Sequence, residues 1–195
     1  MKKLFAIISL TLALTACAGG GRVSLEQGDA MMQTDKWTTV DTKNAIDDIM
    51  EQLKTHPSFI EYTEQLGRKP KLYIQNIENS TADPHFRIAE LNNALLKSLS
   101  RSGKFVLINM RNQNEIGKAL ADQRKGRVRK EDIVSAAKRL GADMLIFGQI
   151  TNTPNVNGRQ KVNEYTVTVS LTILESSEEF LADHTETKFI KSSVW

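Results

Sequence analysis

Tyr165-Thr166-Val167-Thr168-Val169-Ser170-Leu171-Thr172-Ile173 alternates apolar with hydroxyl-bearing residues. A period of two puts every apolar side chain on one face of an extended chain, so the segment predicts a half-buried β-strand. Its apolar face packs, and its Thr/Ser face meets either solvent or a partner. The flanks agree with this reading. Pro154 and Asn157-Gly158 mark a turn before the strand, and Glu175 to Glu178 mark a second turn into a weaker last strand over Phe180 to Ile190. Met144 to Ile150, upstream of the first turn, is the most apolar strand and is expected at the centre of a sheet.

Further toward the N-terminus the apolar period becomes helical. Ile46, Ile49, Met50 and Leu53 fall at i, i+3, i+4 and i+7 and predict a first helix over Thr39 to Lys54, ended by His56-Pro57. Phe59 to Leu66 reads as a further irregular turn, Lys71 to Ile77 as a short strand, and Glu78 to Ala82 as a polar loop. Asp83 can cap a helix with Pro84 at its first position, and Ile88, Leu91, Leu95 and Leu99 repeat along one face until Ser102-Gly103. Phe105 to Met110 is a second strand, apolar on both faces and expected inside the sheet. Asn112 and Glu115 have capping-box spacing before a helix through Ile116, Ala119 and Leu120. A further helix carries Ile133, Ala136, Ala137 and Leu140 and ends at Gly141. Helices alternating with strands, then consecutive strands, give an α/β (α+β) class: a mixed sheet of about five strands with helices packed against it.

The N-terminus predicts export. Lys2 and Lys3 precede an apolar run from Leu4 to Leu14, which closes on Leu14-Thr15-Ala16-Cys17, a lipobox. Roughly 20 apolar residues are needed to cross a bilayer, so the run is too short to stay as a span and is expected to be cleaved. Cys17, the only cysteine, then carries the lipid. The expected organisation is a signal peptide over 1–16, a lipidated flexible tether over 17–36 and one globular domain over 37–195. Gly19-Gly20-Gly21 loosens the tether, which averages about 25 Å as a coil and reaches at most ~60 Å. With no second cysteine, the domain is held by its hydrophobic core alone. Of 26 basic residues two lie in the leader, leaving 24 against 23 acidic ones. That balance disfavours nucleic acid as a partner.

Catalytic signatures are absent from the sequence. It has no G-x-S-x-G, no G-x-x-x-x-G-K-[ST], no H-E-x-x-H and no S-x-x-K with its companions. His56, His85 and His184 are too dispersed for a metal site and read as surface histidines, and Asp47-Asp48 reads as a solvated helix edge. An enzyme would require a spatial cluster of titratable groups in a cleft, such as Asp83, His85 and Arg87 near one loop. The basic run Arg124 to Lys130 is either a solvated inter-helix loop or a grip for an acidic partner or anionic cell-wall polymer. No catalytic residue, metal or cofactor is expected.

The lipobox, the tether, Asp35-Lys36-Trp37 before the first helix, Ile77-Glu78-Asn79-Ser80-Thr81, Leu95 to Phe105 with its Ser102-Gly103-Lys104-Phe105, and Arg139-Leu140-Gly141-Ala142-Asp143 resemble the LpoB family. These are outer-membrane lipoprotein activators of a bifunctional penicillin-binding protein. Related domains occur in curli-secretion lipoproteins and at the N-terminus of TolB. The resemblance implies a non-catalytic, cofactor-free partner. Anchored through its lipid in the outer membrane and facing the periplasm, it would dock on the regulatory domain of a peptidoglycan synthase and stimulate cell-wall synthesis. Ala18 after the lipidated cysteine fits transport to the outer membrane. The family's partner surface, around the sheet and its loops, maps to Phe147, Gln149, Thr151 and Asn152. The sequence departs from the pattern in its short tether, without proline before Pro57, and in its longer C-terminal strand region. The alternative is a structural or assembly lipoprotein of a secretion or envelope machine.

Overall fold

The computed structural model describes residues 34–108, 130–157 and 160–191. Helix α1 (Thr39–Thr55) begins at a reciprocal cap: Thr38 Oγ1 accepts from the Asp41 N–H at 3.3 Å, and Asp41 Oδ2 accepts from the Thr38 N–H at 2.8 Å. Ala45, Ile46, Ile49, Met50 and Leu53 form its buried stripe. Thr38→Ala removes the acceptor for the Asp41 N–H and is expected to cost about 1 kcal/mol in a urea titration. An unchanged midpoint would show that the cap contributes nothing.

Phe59 to Leu66, expected as an irregular turn, belongs instead to a regular helix α2 (Pro57–Leu66). Pro57 sits at its first turn, where the missing N–H leaves no bond unmade, and Gly67 closes it at φ 62°. Strand β1 (Lys71–Ser80) also runs further than expected, through Glu78, Asn79 and Ser80. Those polar side chains are exposed while their backbone keeps pairing with the sheet past a bulge between Ile74 and Ile77. The Asn92 amide accepts from the Ile77 N–H at 2.7 Å and donates to its C=O at 3.2 Å, satisfying backbone groups beside that bulge.

Asn92 lies on α3 (Ile88–Ser102), which starts four residues after the expected Pro84. Asp83 does not cap it. Its Oδ1 accepts from the His85 N–H at 3.0 Å and closes a local turn, a competing use of a short polar side chain. The predicted apolar face holds, with Leu91, Leu95 and Leu99 buried, and Gly103 ends the helix at φ 64°.

Of the expected internal strand Phe105 to Met110, positions 109–110 lie outside the described residues; within the rest, β2 (Val106–Leu107) pairs with β1 at the edge of the described sheet and leaves Val106 47% exposed. The helix expected through Ile116 and the basic run up to Arg129 lie outside the described residues. Helix α4 (Lys130–Arg139) follows, then β3 (Met144–Asn157), β4 (Gln160–Ile173) and β5 (Glu179–Lys191). Pro154 sits inside β3 rather than in a turn. β1 ends opposite Thr151, so this part of β3 has a strand neighbour on one side only.

The sheet order is β2-β1-β3-β4-β5, parallel across the first three strands and antiparallel across the last three. This is the expected α+β class, with the apolar run Met144 to Ile150 in the central strand. Two cores lie on opposite faces. The larger joins α1 and α3 to Ile146, Ile150, Tyr165, Val167 and Val169, and the smaller joins Ala137 of α4 to Tyr73, Leu145 and Leu174. On the outer edge of β5 the Gln52 amide bonds both backbone groups of Asp183, at 2.7 and 3.2 Å, and so covers part of a free strand edge.

Asp143 locks the start of β3. Its carboxylate accepts from Arg68 at 2.7 and 2.9 Å and from the Lys71 N–H at 2.7 Å. The Arg68 hydrogen bond is the largest influence on this carboxyl and, against the opposing effect of burial, holds it below the ordinary range. The unfolded chain therefore takes up the proton first as pH falls. Stability from this carboxylate is complete above about pH 5 and is lost as the pH drops through about 4 and below. Asp143→Asn should flatten that acid limb in a plot of unfolding midpoint against pH, and an equally steep limb would remove the carboxylate from the account.

Candidate functional site on the open sheet face

Strand alternation sorts the candidate residues by face. Phe147, Gln149 and Thr151 lie at odd positions of β3 and pair across the sheet with Ser170, Thr168 and Thr166, which pair in turn with Leu181, Asp183 and Thr185 of β5. This face is the hydroxyl face of the strand that opened the sequence reading. Among the described residues, α4 is the helix packed against this face, at the end where Ser170 and Thr172 are buried.

Where α4 stops, a groove of about 450 Å³ is lined by Ile133, Phe147, Gln149, Thr168 and Leu181. Phe147 is half-buried in the smaller core and forms its apolar floor, Gln149 is exposed, and Leu181 is 61% exposed. The Thr166 and Thr185 hydroxyls lie 3.2 Å apart, while Ser170 donates to the Glu179 carboxylate in a short hydrogen bond. Glu78 pairs beside Gln149, and exposed Glu164 and Asp183 lie on the same face. Among the described side chains of β3, β4 and β5, this face carries no lysine or arginine. Its character is a hydroxyl and amide grid with one apolar groove and an acidic rim.

Asn152 points the other way. Its Oδ1 accepts from the Ala82 N–H at 2.7 Å and its Nδ2 donates to Asn163 Oδ1 at 2.9 Å. Asn163 Nδ2 donates to the Tyr165 hydroxyl at 2.8 Å and to the Asp35 C=O at 3.3 Å. Trp37 closes this network, with its ring 5.5 Å from Tyr165 and its Nε1–H donating to Thr42 Oγ1 at 2.7 Å. Asn152 thus ties the loop after β1 to the chain before α1. Leu181 and Glu78 border the candidate face without having been singled out from the sequence: Leu181 sits in the weaker last strand, and Glu78 in a stretch read as loop. Alternation between Phe180, Leu181 and Ala182 is the signal that places Leu181 on the open face.

Within the loop cluster, the Asp83 and Arg87 side chains engage separate partners. Burial alone would raise the Asp83 carboxyl, but hydrogen bonds from the His85 N–H and the Lys36 ammonium, the latter at 3.1 Å, hold it below the ordinary range. His85 is exposed, and Arg87 turns to Glu90 at 3.8 Å. The histidines are far from uniform surface residues. His56 stacks on Phe180 at 4.4 Å, and His184 is 3.0 Å from Asp48, which it holds below the ordinary carboxyl range by hydrogen bonding. Among the described residues no group of three or more His, Cys, Asp or Glu is arranged to hold a metal, and no helix is long and apolar enough to cross a membrane.

Comparison with curated proteins finds no match by sequence. Among solved structures, the chain is similar to the LpoB C-terminal domain from Escherichia coli, at 15% identity and a TM-score of 0.49, covering 78% of this chain and 99% of that one. It is similar to the corresponding domain from Salmonella enterica at 13% identity and a TM-score of 0.47, with coverage of 78% and 99%. Lipoprotein GNA1162 from Neisseria meningitidis matches at 12% identity and a TM-score of 0.41, covering 64% of this chain and 87% of that one. The family model described as peptidoglycan-synthase activator LpoB matches residues 41–187, from the first turn of α1 to near the end of β5. The chain belongs to the LpoB family of peptidoglycan-synthase activators.

Proposed function

We propose that this chain is a lipid-anchored, non-catalytic activator that docks on the regulatory domain of a bifunctional penicillin-binding protein. The family match over 41–187 carries this reading. Cys17 holds the lipid in the outer membrane, residues 17–36 act as the tether, and the domain from 37 onward faces the periplasm. The open sheet face makes the contact. Gln149, Thr151 and Thr168 offer donors and acceptors, Leu181 offers exposed apolar surface beside the half-buried Phe147, and Asn152 holds the neighbouring loop in place. The acidic rim selects a partner surface rich in lysine or arginine. Activation needs no chemistry from this chain: a ligand that binds the active synthase conformation more tightly than the inactive one raises the active fraction.

The test is capture of a synthase from detergent-solubilised envelope by the lipidated full chain, followed by direct binding of the captured synthase's isolated regulatory domain. Saturable binding to that domain supports the proposal. Capture of a secretion or envelope-assembly component, with no affinity for any penicillin-binding protein, would move the chain to the structural alternative.

A further inference from the structure

On the opposite side of the sheet, α1 and α3 pack side by side and leave a groove of about 940 Å³ between their outward faces. Half-buried Phe86, Ile88 and Ala94 line it above the buried Ile46, and Ala89, Asn93 and Ser98 keep the α3 wall low, so a convex backbone can come close. Two of its charged pairs are satisfied locally. Lys43 meets Asp47 at 3.2 Å, and Arg87 meets Glu90 at 3.8 Å. Lys97 and Arg101, one turn apart on α3, are exposed and have no hydrogen bond or ion pair with any described residue. The groove thus combines a recessed apolar floor with two uncommitted cations on one wall.

We propose that this groove docks an acidic amphipathic helix of a second protein, whose apolar stripe fills the floor while its carboxylates pair with Lys97 and Arg101. A planar anionic bilayer fits less well, because the apolar residues are recessed between two helices rather than raised above them. The groove and the open sheet face lie on opposite sides of the sheet, so occupants of the two do not compete. A single copy bridges two proteins, which goes beyond binding a synthase.

The experiment is selection of randomised 16-residue helical peptides against the full mature chain, with enriched peptides then tested on K97E/R101E and on A94W, which fills the groove. Enriched peptides are expected to be acidic and amphipathic, and to lose at least about tenfold in affinity on both variants, each checked for native circular dichroism. Peptides without net negative charge, undiminished binding to both variants, or no enrichment would overturn the proposal. Binding of anionic phosphatidylglycerol vesicles that is lost in K97E/R101E, with no acidic peptide enriched, would overturn it in favour of a lipid surface.

Discussion

Gly148→Val is expected to lower the stability of the domain by about 3 kcal/mol, the upper end of the ordinary range for overpacking a core. Gly148 lies in the central strand with Ile77 of β1 on one side and Val169 of β4 on the other. A Cβ placed there would lie 2.5 Å from the Thr168 carbonyl oxygen and 3.2 Å from Val169 Cγ2. The first contact is the serious one, because it is with backbone. A side-chain neighbour could rotate away, whereas the Thr168 carbonyl moves only if β4 shifts against β3. Glycine is therefore required here for close approach of two strands, not for an unusual backbone angle. Urea titration followed by circular dichroism measures the loss, which should be smaller for Gly148→Ala than for Gly148→Val. A midpoint within about 0.5 kcal/mol of the native chain for the valine variant would show that the sheet relaxes at no cost.

Gln149→Arg and Leu181→Lys are each expected to reduce stimulation of the synthase about tenfold or more, the scale of losing an interface hot spot, while leaving stability within about 0.5 kcal/mol. Both side chains are exposed on the open face, so neither substitution opens a cavity. Each adds a cation to a surface whose rim carries Glu78, Glu164 and Asp183, and so opposes a basic partner. Leu181→Lys also removes apolar contact area at the groove. Gln149→Glu, which keeps the sign of the face, should retain stimulation. Dose-response curves of glycan polymerisation measure the effect, with thermal unfolding of each variant as the control. Full stimulation by Gln149→Arg would remove this face as the docking surface.

Much of the fold was legible because hydrophobic periodicity reports burial directly. The Tyr165 to Ile173 alternation placed its five apolar residues in the larger core, and the Leu91, Leu95, Leu99 repeat marked the buried face of α3. Boundaries were less legible where one short polar residue has two uses. Asp83 has the chemistry of a helix cap but closes a turn, and Glu78 to Ser80 look like loop residues although their backbone continues the ladder. Phe105 to Met110 was apolar enough for an internal strand, yet among the described residues it pairs through Val106 and Leu107 at the sheet edge, because pairing depends on which strand lies alongside. The candidate site was legible only by face. Alternation separates Phe147, Gln149 and Thr151 from Asn152, but neither Glu78 nor Leu181 can be brought beside them without the strand order β1-β3-β4-β5.

The rate of glycan polymerisation by a purified bifunctional penicillin-binding protein, measured with and without a saturating amount of the lipidated full chain, reads activation itself. A rise of about fivefold or more, in the range of ordinary coupling between sites, is predicted. An unchanged rate while the chain is demonstrably bound would contradict activation and leave a partner that docks without regulating.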